Sequence, residues 1–229
     1  MSTPDPPPDS ATSVTTTVVA VLGGTGEQGR GLARRLALAG YRVVLGSRDG
    51  ARAAAAAAEL ASVGDVTGLD NAAAARVGDV VVVAVPWDGH RELLAALVDE
   101  LEGKIVVDCV NPLGFDGKGA FALTVPEGSA AEQAQAVLPG SRVVGAFHHV
   151  SAVLLLDETV ERVDTDVLVL GDDREATDLV QALADRIPGM RGVYGGRLRN
   201  AHQVEALTAN LISVNRRYKA HAGLRITDV

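Results

Sequence analysis

From Thr17 onward, short Val-rich runs alternate with Ala-rich stretches, and this alternation constrains the fold more than any other feature of the chain. Runs such as the one beginning at Val80 are apolar at consecutive positions, which suits strands buried on both faces of a parallel sheet. The stretches between them then supply helices to cover those faces, so the expected class is α/β, a doubly wound, mostly parallel sheet. Strands are expected near 17–22, 41–46, 66–69, 79–85, 104–109, 141–147 and 166–170, and helices near 26–40, 50–63, 70–77, 88–101, 129–138 and 174–187. The run Ala53 to Ala58 has the best helix propensity available and is read as helix. Pro112, Gly114, Gly117, Gly119, Pro126 and Gly128 make 111–128 a long loop placed to fold over a ligand. A last helix begins near Asn200, whose carboxamide is positioned to cap it with Gln203 three residues on, and Val204, Leu207, Leu211 and Val214 recur at helical spacing.

Ahead of this pattern, Pro4, Pro6, Pro7 and Pro8 among Ser, Thr and Asp leave residues 1–16 almost nothing to bury, and they are expected to form a flexible tail. The whole chain has 229 residues, 47% hydrophobic and 22% charged, enough to bury roughly 70% of its unfolded surface. That excludes a disulfide-stapled miniprotein. With 21 Lys and Arg against 29 Asp and Glu, the formal net charge of −8 repels phosphate backbones and anionic lipid, so nucleic acid and membrane are not expected partners. Cys109 stands alone and can form no intrachain disulfide, which favours a reducing compartment. No basic start leads into an apolar stretch, and the apolar run Val80 to Trp87 is too short to span a bilayer. A cytoplasmic protein is expected.

The first strand runs into Gly23-Gly24-Thr25-Gly26-Glu27-Gln28-Gly29, placing G-x-G-x-x-G at Gly24, Gly26 and Gly29 between a strand and a helix. In that context Gly24 permits a tight turn, Gly26 lets backbone approach a pyrophosphate, and Gly29 allows the helix to pack closely. The helix N-terminus offers unpaired N–H groups to the anion. The end of the second strand reads Leu45-Gly46-Ser47-Arg48, with Arg52 one turn on. A hydroxyl and two guanidinium groups suit the 2′-phosphate of NADP. Asp49 keeps NAD open as an alternative, although a carboxylate there also serves as the N-cap of the next helix.

These segments, together with Val85-Pro86-Trp87, Gly145-Ala146-Phe147-His148 and Val204-Glu205-Ala206-Leu207-Thr208, closely resemble the NADPH-dependent oxidoreductases of coenzyme F420, an 8-hydroxy-5-deazaflavin. The resemblance implies a Rossmann-type dinucleotide-binding domain at 17–147, a smaller C-terminal α/β portion at 148–229 that completes the deazaflavin site, and reversible hydride exchange between NADP(H) and the deazaflavin, in a homodimer. Carried onto this chain, Thr25, Gly26, Glu27 and Gln28 line the pyrophosphate, Ser47, Arg48 and Arg52 take the 2′-phosphate, and Pro86 and Trp87 flank the nicotinamide. His148 and the turn Val150-Ser151-Ala152 border the meeting place of the two rings, and Thr208 reaches the deazaflavin. The chain departs from the family pattern at His202 and Ala206, where Arg and Ser are usual, and at His149 and Ser151, where Thr and Pro are usual.

Hydride transfer asks for positioning and exclusion of water more than for acid–base groups. In keeping with that, no G-x-S-x-G element is present, and the five histidines form no zinc-like cluster. His148 is assigned to polarise the deazaflavin edge as charge grows there, with a structural histidine as the plain alternative. His148 and His149 are expected to point to opposite faces. Asn111 either fixes a carboxamide or phosphate or begins a turn with Pro112. The Thr208 hydroxyl either meets the ligand or bonds to backbone. Two other functions stay open at this level, since a fold does not name its substrate. One is an NADPH-dependent reductase of a flavin, imine or small carbonyl, for which no Lys or Tyr is clearly placed as general acid. The other is a non-catalytic NADPH sensor.

Overall fold

The computed structural model describes residues 17–229, so the expected tail at 1–16 lies outside the described residues. Its elements in chain order are β1 (Val18–Leu22), α1 (Glu27–Leu38), β2 (Arg42–Ser47), α2 (Gly50–Glu59), β3 (Val66–Asp70), α3 (Asn71–Val77), β4 (Val80–Val83), α4 (His90–Ala95), α5 (Val98–Leu101) and β5 (Ile105–Asp108). There follow β6 (Leu113–Asp116), β7 (Gly119–Ala122), α6 (Ala130–Val137), β8 (Arg142–Gly145), α7 (Ala152–Leu156), β9 (Thr165–Gly171), α8 (Arg174–Asp185), β10 (Met190–Gly196) and α9 (Ala201–Tyr218).

Eight strands form one sheet in the order β10-β9-β8-β5-β4-β1-β2-β3. All neighbours pair in parallel except β8 with β9, which are antiparallel. Strand residues alternate between two cores, as a sheet covered on both faces requires. In β1, Val19 and Val21 pack with Leu32, Leu36 and Leu155 on one face, while Ala20 and Leu22 pack with Leu94, Leu101 and Ala134 on the other.

Four expectations need correction. Residues 88–101 form two short helices, α4 and α5, that meet at Leu97. Residues 111–128 are not all loop: β6 and β7 form an antiparallel hairpin, whose turn is closed by the Asp116 carboxylate accepting from Lys118 N at 2.7 Å and Gly119 N at 3.1 Å. The helix α7 occupies part of the expected turn after Val150. Finally, β10 adds an edge strand that Gly192, Gly195 and Gly196 disguise. Gly192 is there because α8 runs close by: a Cβ at this position would stand 2.5 Å from Gln181 Cα.

One clamp ties α7 to the nucleotide-binding half. Arg35 on α1 is buried and donates to the carbonyl oxygens of Leu154, Leu155, Asp157 and Val160 at 2.6–3.1 Å. Beside it, Gly31 leaves room for the buried Leu155, whose Cβ would lie 2.6 Å from a Cβ at Gly31. The C-terminal end of α7 and the residues after it are thereby held against α1.

Candidate active site

The chain winds outward from β1 through β2 to β3, then returns to build β4, β5 and β8 on the other side of β1. The reversal opens a crevice at the carboxyl ends of β1 and β4, the place where open α/β sheets collect ligands. The glycine loop and the Pro86–Trp87 segment face each other across it. Gly23, not Gly24, makes the tight turn: its φ is +75°, and a Cβ there would stand 2.4 Å from Ala84 O. Gly24 is required instead by packing, because its Cβ would meet Leu45 Cδ2 at 2.8 Å, and Gly29 by the loop itself, with Gly23 O at 2.5 Å. Gly26 differs from these. A Cβ there would meet protein only at 3.5 Å, so the space before it is open to a ligand. Gly26 also precedes α1 without any side-chain cap, and Thr25, Glu27 and Gln28 are exposed or half-buried around it.

At the end of β2, the Asp49 carboxylate caps α2, accepting from Ala51 N at 2.8 Å and Arg52 N at 3.4 Å. Its Oδ1 thus serves the helix N-terminus, the alternative role that the sequence reading gave to this carboxylate. Ser47 is buried and accepts weakly from Asp49 N at 3.4 Å, while Arg48 and Arg52 are exposed beside it.

The third part of the site is a junction built on the backbone of residues 147 and 148. Phe147 takes a left-handed φ of +61°. Gln28 Nε2, from the phosphate loop, donates to Phe147 O at 3.4 Å. Asn111 Nδ2 and Thr208 Oγ1 both donate to His148 O, at 2.7 and 3.2 Å. Sequence reading offered Thr208 a ligand or a backbone partner, and Asn111 a ligand or a turn with Pro112; in the structure both side chains bond to backbone. Ala152, at the start of α7, completes the rim and is half-buried.

His148 itself lies deep, 3% exposed, with neither ring nitrogen hydrogen-bonded. Burial pushes its pKa down to about 4, against the pull of the Asp108 carboxylate, so the ring is neutral at pH 7. His149 is similarly lowered to about 4 by burial, with Asp166 as the opposing charge. His148 feels Asp108 at the end of β5 and His149 feels Asp166 on β9, and both lie in the turn after β8, which ends at Gly145 instead of running up to them. His202 is exposed on the first turn of α9. Asn200 makes no side-chain cap there. The apolar stripe of α9 is buried at Val204 but opens to solvent by Val214.

A buried polar cluster beneath the Trp87 side of the crevice escaped sequence reading. His90, fully buried at the start of α4, places Nε2 2.6 Å from Asp108 Oδ2 and Nδ1 3.2 Å from Gln133 Oε1. Asp108 Oδ1 accepts from Val110 N at 3.0 Å. Glu205 is also buried and accepts from Ala130 N and Ala131 N at 2.9 and 3.1 Å. Burial pushes its carboxyl up to about 7 despite those two donors. The available signals were an acid closing the apolar run 105–108 and another beside Val204 on the inner face of a helix. The Cys109 thiol donates to Val83 O at 3.0 Å and burial raises its pKa strongly, so it offers no thiolate. Among the described residues, no group of three His, Cys, Asp or Glu is arranged to hold a metal ion.

Comparison with known proteins places this geometry. The family described as NADP oxidoreductase coenzyme F420-dependent matches residues 18–112. The chain is 40% identical over 221 residues to an F420-dependent NADP reductase of Methanothermobacter thermautotrophicus, covering 92% of this chain and 95% of that protein. It is 39% identical over 221 residues to an F420-dependent NADP reductase of Methanocaldococcus jannaschii, with 92% and 98% covered. Among solved structures, a putative F420-dependent NADP reductase from Arthrobacter sp. FB24 superposes with a TM-score of 0.77 at 29% identity, over 91% of this chain and 98% of that one.

Proposed function

The chain belongs to the F420-dependent NADP reductases and is an oxidoreductase acting between NADP(H) and coenzyme F420; we propose that it does so by direct hydride transfer in the crevice between β1 and β4. The observation that carries this reading is the contact from Gln28 to Phe147. It joins the phosphate loop to the junction where Asn111, His148 and Thr208 meet, so one loop bears on both partners of the reaction.

The residues present fit a dinucleotide. The open space before Gly26 admits a pyrophosphate to the uncapped α1 N-terminus, where N–H groups and partial positive charge favour an anion. Thr25, Glu27 and Gln28 line that approach, and Gly24 and Gly29 shape it. Ser47, Arg48 and Arg52 take the 2′-phosphate, with Asp49 capping α2. Pro86 and Trp87 bound the nicotinamide side.

When bound, the nicotinamide C4 and the deazaflavin C5 exchange the hydride, and the protein's task is to hold them in contact and keep water out. Ala152 and the 147–148 backbone border the deazaflavin, with Asn111 and Thr208 fixing that backbone from behind. His148 lies buried beneath the turn with both ring nitrogens closed off, so its part is to pack under the turn and not to polarise the deazaflavin edge as the sequence reading expected. Reducing the deazaflavin with NADPH takes up one proton, so low pH favours that direction and high pH favours NADPH formation.

Residues 17–147 form the dinucleotide-binding part and 148–229 the part that completes the deazaflavin side. In support, the sheet changes strand direction between β8 and β9, at that division. The lone thiol at Cys109 supports a reducing cytoplasm as the compartment, and no described helix is long and apolar enough to cross a membrane. Exposed Phe115 and Phe121 on the β6–β7 hairpin, with Val214 and Tyr218 on α9, support a homodimer formed through this face; light scattering that finds one chain per particle would remove that part.

The test is anaerobic mixing of the protein with NADPH and coenzyme F420, following loss of the oxidised deazaflavin's visible absorbance, with riboflavin phosphate in a parallel cuvette. Bleaching of the deazaflavin alone is expected. Equal reduction of the flavin would overturn deazaflavin as the preferred acceptor.

A further inference from the structure

The pattern of acceptors around His90 constrains its protonation. Gln133 Nε2 donates to Glu127 Oε2 at 3.2 Å, which turns the amide so that Oε1 faces His90 Nδ1. Glu127 is held in turn by Arg91. On the other side of the ring, Nε2 faces the Asp108 carboxylate at 2.6 Å. Both ring nitrogens thus face acceptors, and an acceptor is satisfied only by an N–H. A neutral imidazole has one N–H, so against an ionised Asp108 either tautomer would set a lone pair against an oxygen in a fully buried site.

The indole of Trp87 lies on the same ring, with centroids 5.6 Å apart and planes 30° apart. Trp87 is half-buried, and the His90 backbone N–H donates to Trp87 O at 3.1 Å. An imidazolium against an indole face gains a cation–π attraction that the neutral ring lacks.

We propose that His90 is a positioning residue: held as an imidazolium between Asp108 and Gln133, it fixes the Trp87 side chain and so sets the nicotinamide wall of the crevice. The proposal rests on the reading that Trp87 borders the nicotinamide. The charged and titratable groups facing His90 are Asp108 from β5, Glu127 before α6 and Glu205 from α9, with Arg91 beyond Glu127 and His148 on the far side of Asp108. Burial works against a charge on His90, but Asp108, by charge and hydrogen bond, outweighs it, with Gln133 and Glu205 adding to the same side, and the pKa is raised.

Trp87 is the single tryptophan of the chain, which makes its emission a direct reporter, because an imidazolium quenches a stacked indole and a neutral imidazole quenches it far less. In the full-length protein without nucleotide, emission is expected to stay low at pH 6–7 and to rise only above the usual histidine range of about 6.5. His90→Gln should be bright and flat with pH. Glu205→Gln should keep the rise, which separates His90 from the other buried group that titrates near neutrality. In the unaltered protein, nitrogen-15 NMR at pH 7 should find both His90 ring nitrogens protonated. A single ring proton, or a rise that survives in His90→Gln and vanishes in Glu205→Gln, overturns the proposal, and the NMR arm needs no variant to fold.

For turnover, His90→Gln is expected to lower kcat by about tenfold, the scale of a lost cation–π contact, and to change the KM for coenzyme F420 little. An unchanged kcat in a folded variant also overturns it. Adding NADP+, which does not fluoresce, distinguishes the two layers. If Trp87 emission follows pH as expected but ignores saturating NADP+, then His90 holds Trp87 and it is the placement of the nicotinamide that fails.

Discussion

Asn111 donates to the carbonyl oxygen of His148 across 37 residues of sequence, at 2.7 Å, and Thr208 donates to the same oxygen from the last helix at 3.2 Å. One carbonyl thus draws together the loop after β5, the turn after β8 and α9. The turn needs such bracing because Phe147, just before it, holds a left-handed φ of +61°, a conformation that costs a non-glycine residue on the order of 1 kcal/mol.

Removing either donor is expected to loosen the deazaflavin side while sparing the nucleotide side. Asn111→Ala and Thr208→Val should each lose about 1 kcal/mol of stability, and the double variant more than their sum, because it leaves a carbonyl without a donor. The KM for coenzyme F420 should rise in each variant while the KM for NADPH stays within about twofold, on the view that sites without shared partners respond independently. Steady-state kinetics with each substrate varied in turn decides this. Equal losses on both substrates would show that the junction supports the fold alone.

Arg48 and Arg52 carry the choice of dinucleotide. Asp49 caps α2, and Asp70, which pairs with Ser47 across the sheet, caps α3. Arg48→Ala with Arg52→Ala should raise the KM for NADPH by roughly 10–100-fold, as expected for charge-assisted contacts at an exposed position. The KM for NADH should hardly change, since NADH has no 2′-phosphate. A parallel loss on both nucleotides would sink the assignment.

How far the sequence was legible follows from where each signal is local. The phosphate loop was readable because its chemistry is contained in seven consecutive residues, yet even there the strained turn fell to Gly23, since the neighbour that demands it, Ala84 O, is contributed by a distant strand. The helices around 26–40, 50–63 and 174–187 were readable from periodicity alone. The strand β10 was not, because its glycines answer to the backbone of α8, a tertiary constraint that looks locally like a strand breaker. The same holds for the cluster under Trp87. His90, Asp108, Gln133 and Glu205 come from four elements, and each by itself looks ordinary. Only their convergence in a fully enclosed space makes their protonation informative.

Glu205 gives the protein a pH dependence of known sign. Its carboxyl is raised from 4.5 to about 7 in the fold, chiefly by burial, so the folded state holds that proton more tightly than the unfolded one. The resulting stabilisation is complete below about 4.3, the unfolded value, and is lost as pH rises through about 7. Glu205→Gln removes this contribution while keeping an oxygen for one of the two N–H groups, those of Ala130 and Ala131, that the carboxylate accepts from. Measured by urea unfolding, the unaltered protein should lose on the order of 2–3 kcal/mol relative to the variant between pH 5 and pH 8. Two parallel stability curves would contradict the buried proton.

His148 and His149 act at the other end of the scale and with the opposite sign. Both are lowered from 6.5 to about 4 by burial, so the unfolded chain binds protons that the folded chain refuses. Their stabilisation is fully present above about 6.5, the unfolded histidine value, and is lost as pH falls through about 4. Asp108 beside His148 and Asp166 beside His149 favour a proton on each ring, but burial outweighs them. The protein should therefore weaken steeply between pH 6 and pH 4, and His148→Asn should shallow that slope even if it lowers stability at pH 7. Urea midpoints at half-unit steps of pH provide the measurement. A slope identical in protein and variant would mean that His148 is charged in the fold, and its proposed part in bracing the deazaflavin turn as a neutral ring would fall with it.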